Sequence, residues 1–321
     1  MSYNSCNLFD DIDNGTEYPE YDPSSDREWN SRLYHERLKR TGEVIAMASP
    51  PEGPDVICFQ EIENKKVLKD LSSTYLKNYS YKYIISPDSD GSAITTGIIS
   101  RYPLENVKYH SIFLEGFENL RTITEAQIST PANDFYIFNC HLKSKLGGAE
   151  FTEAARIEAA GAIRRRCREI ISQNPDAEII IAGDLNENID EYQRQMGRYT
   201  TALMPLKEAG EGYDGKVLES SLIVTGNPEN LQTEKSKAVF YSPWLEGKEA
   251  GSYFYRNSWE TIDHFLLSPS LFNKKGFEYS GFEVLKKEAL IRGSGEPLKW
   301  NSRSESGYSD HLPILLFLRL S

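Results

Sequence analysis

Positive charge is scarce in this chain. Its 36 Lys and Arg face 48 Asp and Glu, for a formal net charge of −12. That deficit argues against a surface built to hold polyanions in general, which would be basic. It leaves room for a phosphate-bearing substrate, because a bound divalent metal reverses the field around it. Cysteine is scarcer still. Cys6, Cys58, Cys140 and Cys167 have neither CxxC nor zinc-like spacing. Three of them lie in or beside expected strands, so they read as buried free thiols rather than disulfides. No apolar run is long enough to span a membrane, and no signal peptide is visible. Met1 stands directly against what reads as the end of a first strand, Met1–Asn4, where a strand would begin a few residues earlier. The expectation is a soluble chain trimmed of a targeting segment, with export left open.

What is present suits a globular protein. Of 321 residues, 39% are hydrophobic and 12% aromatic, enough for a sizeable core. The central stretch is Glu178–Asn188. Ile179, Ile180, Ile181 and Ala182 read as a fully buried strand. It ends in Gly183, which permits close backbone approach, and then in Asp184 and Asn186. Period two puts those two on one side of the strand end, where open α/β sheets place ligands. Upstream, Asp55–Glu61 is a second apolar strand closing in a carboxylate. Phe135–Lys143 ends in His141 and Lys143, a donor pair suited to phosphate oxygens. Arg121 stands just before another strand, Thr122–Ser129. Arg32–Ala48 and Phe151–Ser172 carry helical apolar stripes, and strand, long helix, strand across 135–181 predicts a crossover. Residues 10–28 and 187–252 read as long loops of a single 1–321 domain. Ser258–Ser268 is expected as one strand, with Asp263 and His264 on opposite faces. Asp310 and His311 introduce the last strand, which runs to Leu318.

Only five histidines occur, yet His141, His264 and His311 all sit at strand ends or in apolar strands. Asn4, Glu61, Asp184, Asn186, Asp263 and Asp310 hold comparable edges. Such oxygen donors suit Mg²⁺ or Mn²⁺, where zinc would favour more His or Cys. A hard metal beside a His and an Asp is the apparatus for activating water against phosphorus.

Several short motifs occur in one order: Tyr3-Asn4 with Asn7-Leu8-Phe9-Asp10, Phe59-Gln60-Glu61, Thr96–Pro103, Asn139-Cys140-His141-Leu142, Gly183-Asp184-Leu185-Asn186, Ile262-Asp263 and Ser309–Pro313. In this the chain resembles the endonuclease/exonuclease/phosphatase superfamily, metal-dependent phosphohydrolases that include deoxyribonuclease I. The resemblance implies an α/β four-layer sandwich, two mixed β-sheets flanked by helices. It implies Glu61 as principal metal ligand, with Asp310 and Asn4 close to the metal. His311 would be base or electrostatic partner of the attacking water, polarised by Asp263. Asp184 and Asn186 would orient the nucleophile, and His141 would donate to a phosphate or leaving oxygen. Lys143 and Arg121 would lie near the substrate phosphate. The implied activity is a phosphodiesterase on DNA or RNA, with a lipid or inositol phosphate as the alternative and an inactive binding domain as the outside one. Two departures stand out. Cys6 replaces a frequent acidic or amide residue, and His264 stands where relatives often carry an aromatic, so it reads as packing or surface.

Overall fold

Ile179, Ile180 and Ile181 leave no side chain for water, and a strand so apolar has to be covered on both faces. In the computed structural model all three are buried. The structure describes residues 1–24, 29–88, 91–210, 219–233 and 238–321. Its strands in chain order begin with β1 (Ser2–Leu8), β2 (Val56–Ile62), β3 (Tyr83–Ile85), β4 (Thr95–Ser100) and β5 (Leu104–His110). Next come β6 (Ile123–Ser129), β7 (Asp134–His141), β8 (Ile179–Asp184), β9 (Leu203–Pro205), β10 (Leu222–Thr225) and β11 (Val239–Tyr241). The last are β12 (Tyr253–Tyr255), β13 (Ser258–Glu260), β14 (Asp263–Leu267), β15 (Phe277–Val284) and β16 (Ile314–Leu320).

Two mixed sheets result. One has the order β15-β16-β1-β2-β4-β3, the other β5-β6-β7-β8-β14-β11-β10-β9. Their inner faces pack β1, β2 and β4 against β7, β8 and β14. Helices α1 (Ser31–Ala48) and α2 (Lys65–Thr74) lie on the first sheet, and α3 (Ala149–Gln173) packs on the second. This is the expected four-layer sandwich. Asn30 and Asn64 start α1 and α2 by accepting the backbone N–H groups two and three residues on, the ordinary answer to unpaired donors at a helix start. α3 is the predicted crossover between the parallel strands β7 and β8.

The sheet-to-sheet core is apolar except near one end. There Gln60 Nε2 donates to Asn139 Oδ1 at 2.7 Å. Asn139 Nδ2 in turn donates to the carbonyls of Phe59 (3.0 Å) and Gly97 (2.9 Å). A satisfied polar link in a low-dielectric interior resists sliding, so it fixes the offset of the sheets just below the strand ends. All four cysteines are buried and free. Burial pushes the Cys58 thiol up to about 12 and raises the other three as well.

Three readings of the sequence change. The first strand does not end at Asn4. It continues to Leu8 through Cys6 and Asn7, both in the left-handed region (φ 54° and 60°), where its register on β2 shifts. The Ser258–Ser268 strand is broken at Thr261-Ile262 into β13 and β14. Residues 187–252 are not only loop, since β9, β10 and β11 run parallel there and extend the second sheet beyond β14. Strands of three or four residues are too short for any periodicity to betray them. Residues 10–24 hold neither helix nor strand, while 25–28, 211–218 and 234–237 lie outside the described residues.

Gly183 meets a strict requirement. Its φ is +130°, and a Cβ placed on it would come 2.0 Å from the Cys140 carbonyl oxygen. Neither strand can withdraw, because Cys140 and Gly183 are paired in register. Gly183→Ala is therefore expected to cost more than about 4 kcal/mol, read as a collapse in thermal midpoint or in soluble yield.

Candidate active site

Four strand ends, the middle of β1 and the approach to β16 meet at one edge of the sandwich. β1 brings Asn4, β2 Glu61, β7 His141, β8 Asp184 and β14 Asp263, while Asp310 and His311 precede β16. Glu61 sits at a bulge, with φ 58° and a register shift between Gln60 and Ile62. Bulges re-aim a side chain out of the pleat. Asn186 is likewise left-handed (φ 51°), its amide donating to the Leu142 carbonyl at 3.1 Å. Asp184 Oδ1 accepts from Asn186 N–H at 2.8 Å, which ties the two together.

Asn4 bridges the carboxylates. Its Nδ2 donates to Glu61 Oε1 (3.1 Å) and Asp184 Oδ2 (3.0 Å), while its Oδ1 accepts from Cys6 N–H at 2.9 Å. The Cys6 contact fixes which end of the amide faces the site, so Asn4 presents a donor there and its oxygen is occupied. Glu61 Oε2 accepts from Asn7 N–H at 3.0 Å. His141 Nε2 lies 3.8 Å from Glu61 Oε1 and 3.7 Å from Asp184 Oδ2. Burial, then the Arg121 and His311 charges, hold its pKa well below the usual histidine value. It is a neutral imidazole at neutral pH. Glu61, His141 and Asp184 form a group of donors that could hold a metal ion, and Asp184, Asp263 and His311 form a second.

His311 Nδ1 is paired with Asp263 Oδ2 at 2.8 Å, and its Nε2 faces Asp184 Oδ2 at 3.9 Å. Burial alone would lower the His311 pKa. The carboxylates of Asp263, Asp184 and Asp310 outweigh it and raise the value to about 10, so the ring is an imidazolium. Asp184 moves up, chiefly through burial and then the Asp263 charge. Asp263 is steadied from behind, with Oδ2 accepting from Ser252 Oγ at 2.5 Å and its carbonyl accepting from Trp244 Nε1 at 2.8 Å. Tyr253 stacks on the His311 ring with centroids 4.5 Å apart.

The remaining expected residues stand further out. Asp310 is ion-paired with Lys299 Nζ at 2.8 Å and belongs to neither donor group. Its carboxylate stays below the ordinary range, because burial is outweighed by the His311 and Lys299 charges. Arg121 Nη1 donates to the Leu142 carbonyl at 3.2 Å, on the loop that follows His141. Lys143 contributes its carbonyl to Arg156 at 3.0 Å. His264 is fully buried, its Nε2 2.8 Å from the Glu187 carbonyl, which makes it packing as expected.

The sequence pattern of the Endonuclease/Exonuclease/phosphatase family matches residues 1–203, more than half of the chain. The chain belongs to this family. Membership is consistent with metal-dependent phosphoester hydrolysis. No curated protein matches by sequence. Among solved structures, the fold is similar to a mannosyl-6-phosphatase of Bacteroides thetaiotaomicron (TM-score 0.56, 15% identity, 99% of this chain and 98% of that one). It is also similar to an endonuclease/exonuclease/phosphatase family protein of the same organism (0.55, 15%, 99% and 95%). A third is D. rerio TDP2 complexed with single strand DNA product (0.51, 16%, 89% and 92%).

Within this endonuclease/exonuclease/phosphatase fold, the site rests on buried supports that no motif marks. Arg156, fully buried on α3, donates to Glu187 Oε2 (3.3 Å), Glu153 Oε2 (2.6 Å) and the carbonyls of Lys143 (3.0 Å) and Ala149 (2.8 Å). It thereby binds the loop after His141 to the loop carrying Asn186. Arg37 does the same for the first strand, donating to the carbonyls of Ser5, Cys6 and Tyr308. Charged residues on a helix pattern read as solvated, and only the fold shows which face is covered. Removing one partner of a buried ion cluster strands the others, at about 3–5 kcal/mol. Arg156→Met is expected to lower stability by that amount in urea denaturation. The Arg156→Met/Glu187→Gln double variant should recover part of the loss.

Proposed function

We propose that this chain hydrolyses phosphodiester bonds of nucleic acid, with water as nucleophile. The observation that supports it is the convergence on Asp184 Oδ2 of Asn4 Nδ2, His141 Nε2 and His311 Nε2. In this reading water attacks phosphorus, the bond to the leaving oxygen breaks, and Asp184, its pKa raised by burial, takes the proton of the water. His311, held as imidazolium by Asp263, faces the charge that grows on the phosphorane oxygens. A preorganised donor of this kind is typically worth about 3 kcal/mol in the transition state. The neutral His141 hydrogen-bonds a phosphate or leaving oxygen, and Asn186 aligns the nucleophile. Lys143 and Arg121 are assigned to the substrate phosphate, Arg121 supported by its hold on the Leu142 carbonyl just after His141.

The donor set fits a divalent cation. Glu61 Oε1 and Asp184 Oδ2 converge on the Asn4 amide, and His141 Nε2 lies 3.8 and 3.7 Å from them, a donor group close enough to share one ion. Glu61 with Asp184 would hold Mg²⁺ or Mn²⁺, His141 keeping its role toward the phosphate, and Asp310 would join them on releasing Lys299. Such an ion offsets phosphate charge and makes bound water more acidic. The acidic balance of −12 favours a second substrate reading, a lipid, inositol or sugar phosphate, since Lys and Arg normally supply most nucleic-acid affinity. The test is Mg²⁺- and Mn²⁺-dependent hydrolysis of plasmid DNA, abasic duplex, RNA, sphingomyelin, an inositol polyphosphate and mannose 6-phosphate. DNA or RNA cleavage is the expected result, and activity confined to the other substrates would replace it. Silence throughout, with no metal bound in calorimetry, would point to a binding domain.

A further inference from the structure

Beside the candidate site lies a cavity of about 580 Å³ that none of the roles above uses. Its size is in the range of roughly 300–1,000 Å³ typical of small-ligand sites. One wall is the loop through Lys145, Leu146 and Gly148 that leads into α3, and the other is the β12–β13 hairpin with Tyr253, Tyr255 and Arg256. The hairpin turns on Arg256 and Asn257, both left-handed (φ 47° and 63°), the signature of a tight two-residue turn. That turn fixes Tyr255 at the rim, 46% exposed despite its size. The Tyr253 and Tyr255 rings are nearly parallel (16°, centroids 6.2 Å apart), and the Arg256 guanidinium lies 5.1 Å from the Tyr255 ring centre. Tyr253 also stacks on His311, and Asn186 shares the cavity wall. The cavity thus borders both Asn186 and the ring that stacks on His311.

We infer that the cavity is a subsite for one unstacked nucleoside, carried by a single-stranded or terminal nucleotide. This rests on the nucleic-acid reading above. Aromatic faces beside a cation hold a base by stacking without reading its edges. A base still paired in a duplex cannot enter a recess of this kind. The walls supply cations only at Lys145 and Arg256, and Lys145 is bound to Glu191 at 2.5 Å. That suits one stacked unit better than a tracked duplex backbone.

The test compares two esters with the same leaving group, thymidine 5′-(4-nitrophenyl phosphate) and methyl 4-nitrophenyl phosphate, with Mn²⁺ present. The ratio of their kcat/KM values is expected to be roughly tenfold or more. It should collapse in Tyr255→Ala and persist in Tyr255→Phe, which keeps the ring. A single-stranded oligonucleotide should be cut faster than its duplex. A ratio near one, or one unmoved by Tyr255→Ala, overturns the subsite even if oligonucleotides are cleaved. Turnover of mannose 6-phosphate or an inositol phosphate, with neither ester nor oligonucleotide hydrolysed, removes the nucleic-acid reading itself.

Discussion

Glu61→Gln is expected to lower kcat by about 10³-fold, roughly 4 kcal/mol of transition-state stabilisation. Glutamine fills the same volume, so the loss comes from charge. Glu61 and Asp184 share one amide donor, and their surplus negative charge is what a divalent cation would answer. Stability should change far less. One of the contacts to Asn4 and Asn7 becomes donor against donor, costing about 1 kcal/mol, while repulsion with Asp184 is relieved. Hydrolysis of bis-4-nitrophenyl phosphate at saturating Mn²⁺, with titration calorimetry of the metal, reads both effects. Wild-type activity in this variant would sink the assigned site.

The second large effect belongs to the His311–Asp263 pair. Asp263→Asn leaves the shape in place and removes the charge that holds the imidazolium. Comparable changes in a His oriented by Asp cost about 10⁴ in kcat, and a loss of about 10³ to 10⁴ is expected here. His311→Ala should lose as much, and the double variant no more than either single one, because the two act as a unit. Multiplicative losses would show that they do not. The pair also predicts a pH signature. The folded pKa of His311, about 10, lies above its ordinary 6.5. The stabilisation it brings is therefore complete below about pH 6.5 and disappears as pH rises through 10. Thermal midpoints measured from pH 7 to 10.5 should fall in the wild type and stay flatter in His311→Ala.

Much of this was legible in the residues alone. Ile179–Ala182 and Val56–Phe59 are apolar beyond what any surface strand tolerates, and the polar residue that closes each run has to emerge at a sheet edge. That logic leads to Glu61, Asp184 and Asn186 before any contact is seen. It stops short where geometry is set by partners distant in sequence. Nothing local says that Cys6 N–H claims the Asn4 oxygen, or that Lys299 reaches Asp310. Arg156 looks like one more charge on a solvated helix until Glu187, 31 residues on, is folded beneath it. The strands at 203–205, 222–225 and 239–241 exist because a sheet edge was there to receive them. Their sequences are too short to insist on it.

The four shielded cysteines have a practical corollary. A thiol reacts as its thiolate, and burial denies each of these both the charge and the reagent. An alkylating agent should leave the native chain untouched and label it only as it opens. The rate of label uptake would then be an unfolding clock, needing no engineered probe. The same shielding should let the protein pass through oxidising surroundings without cross-linking.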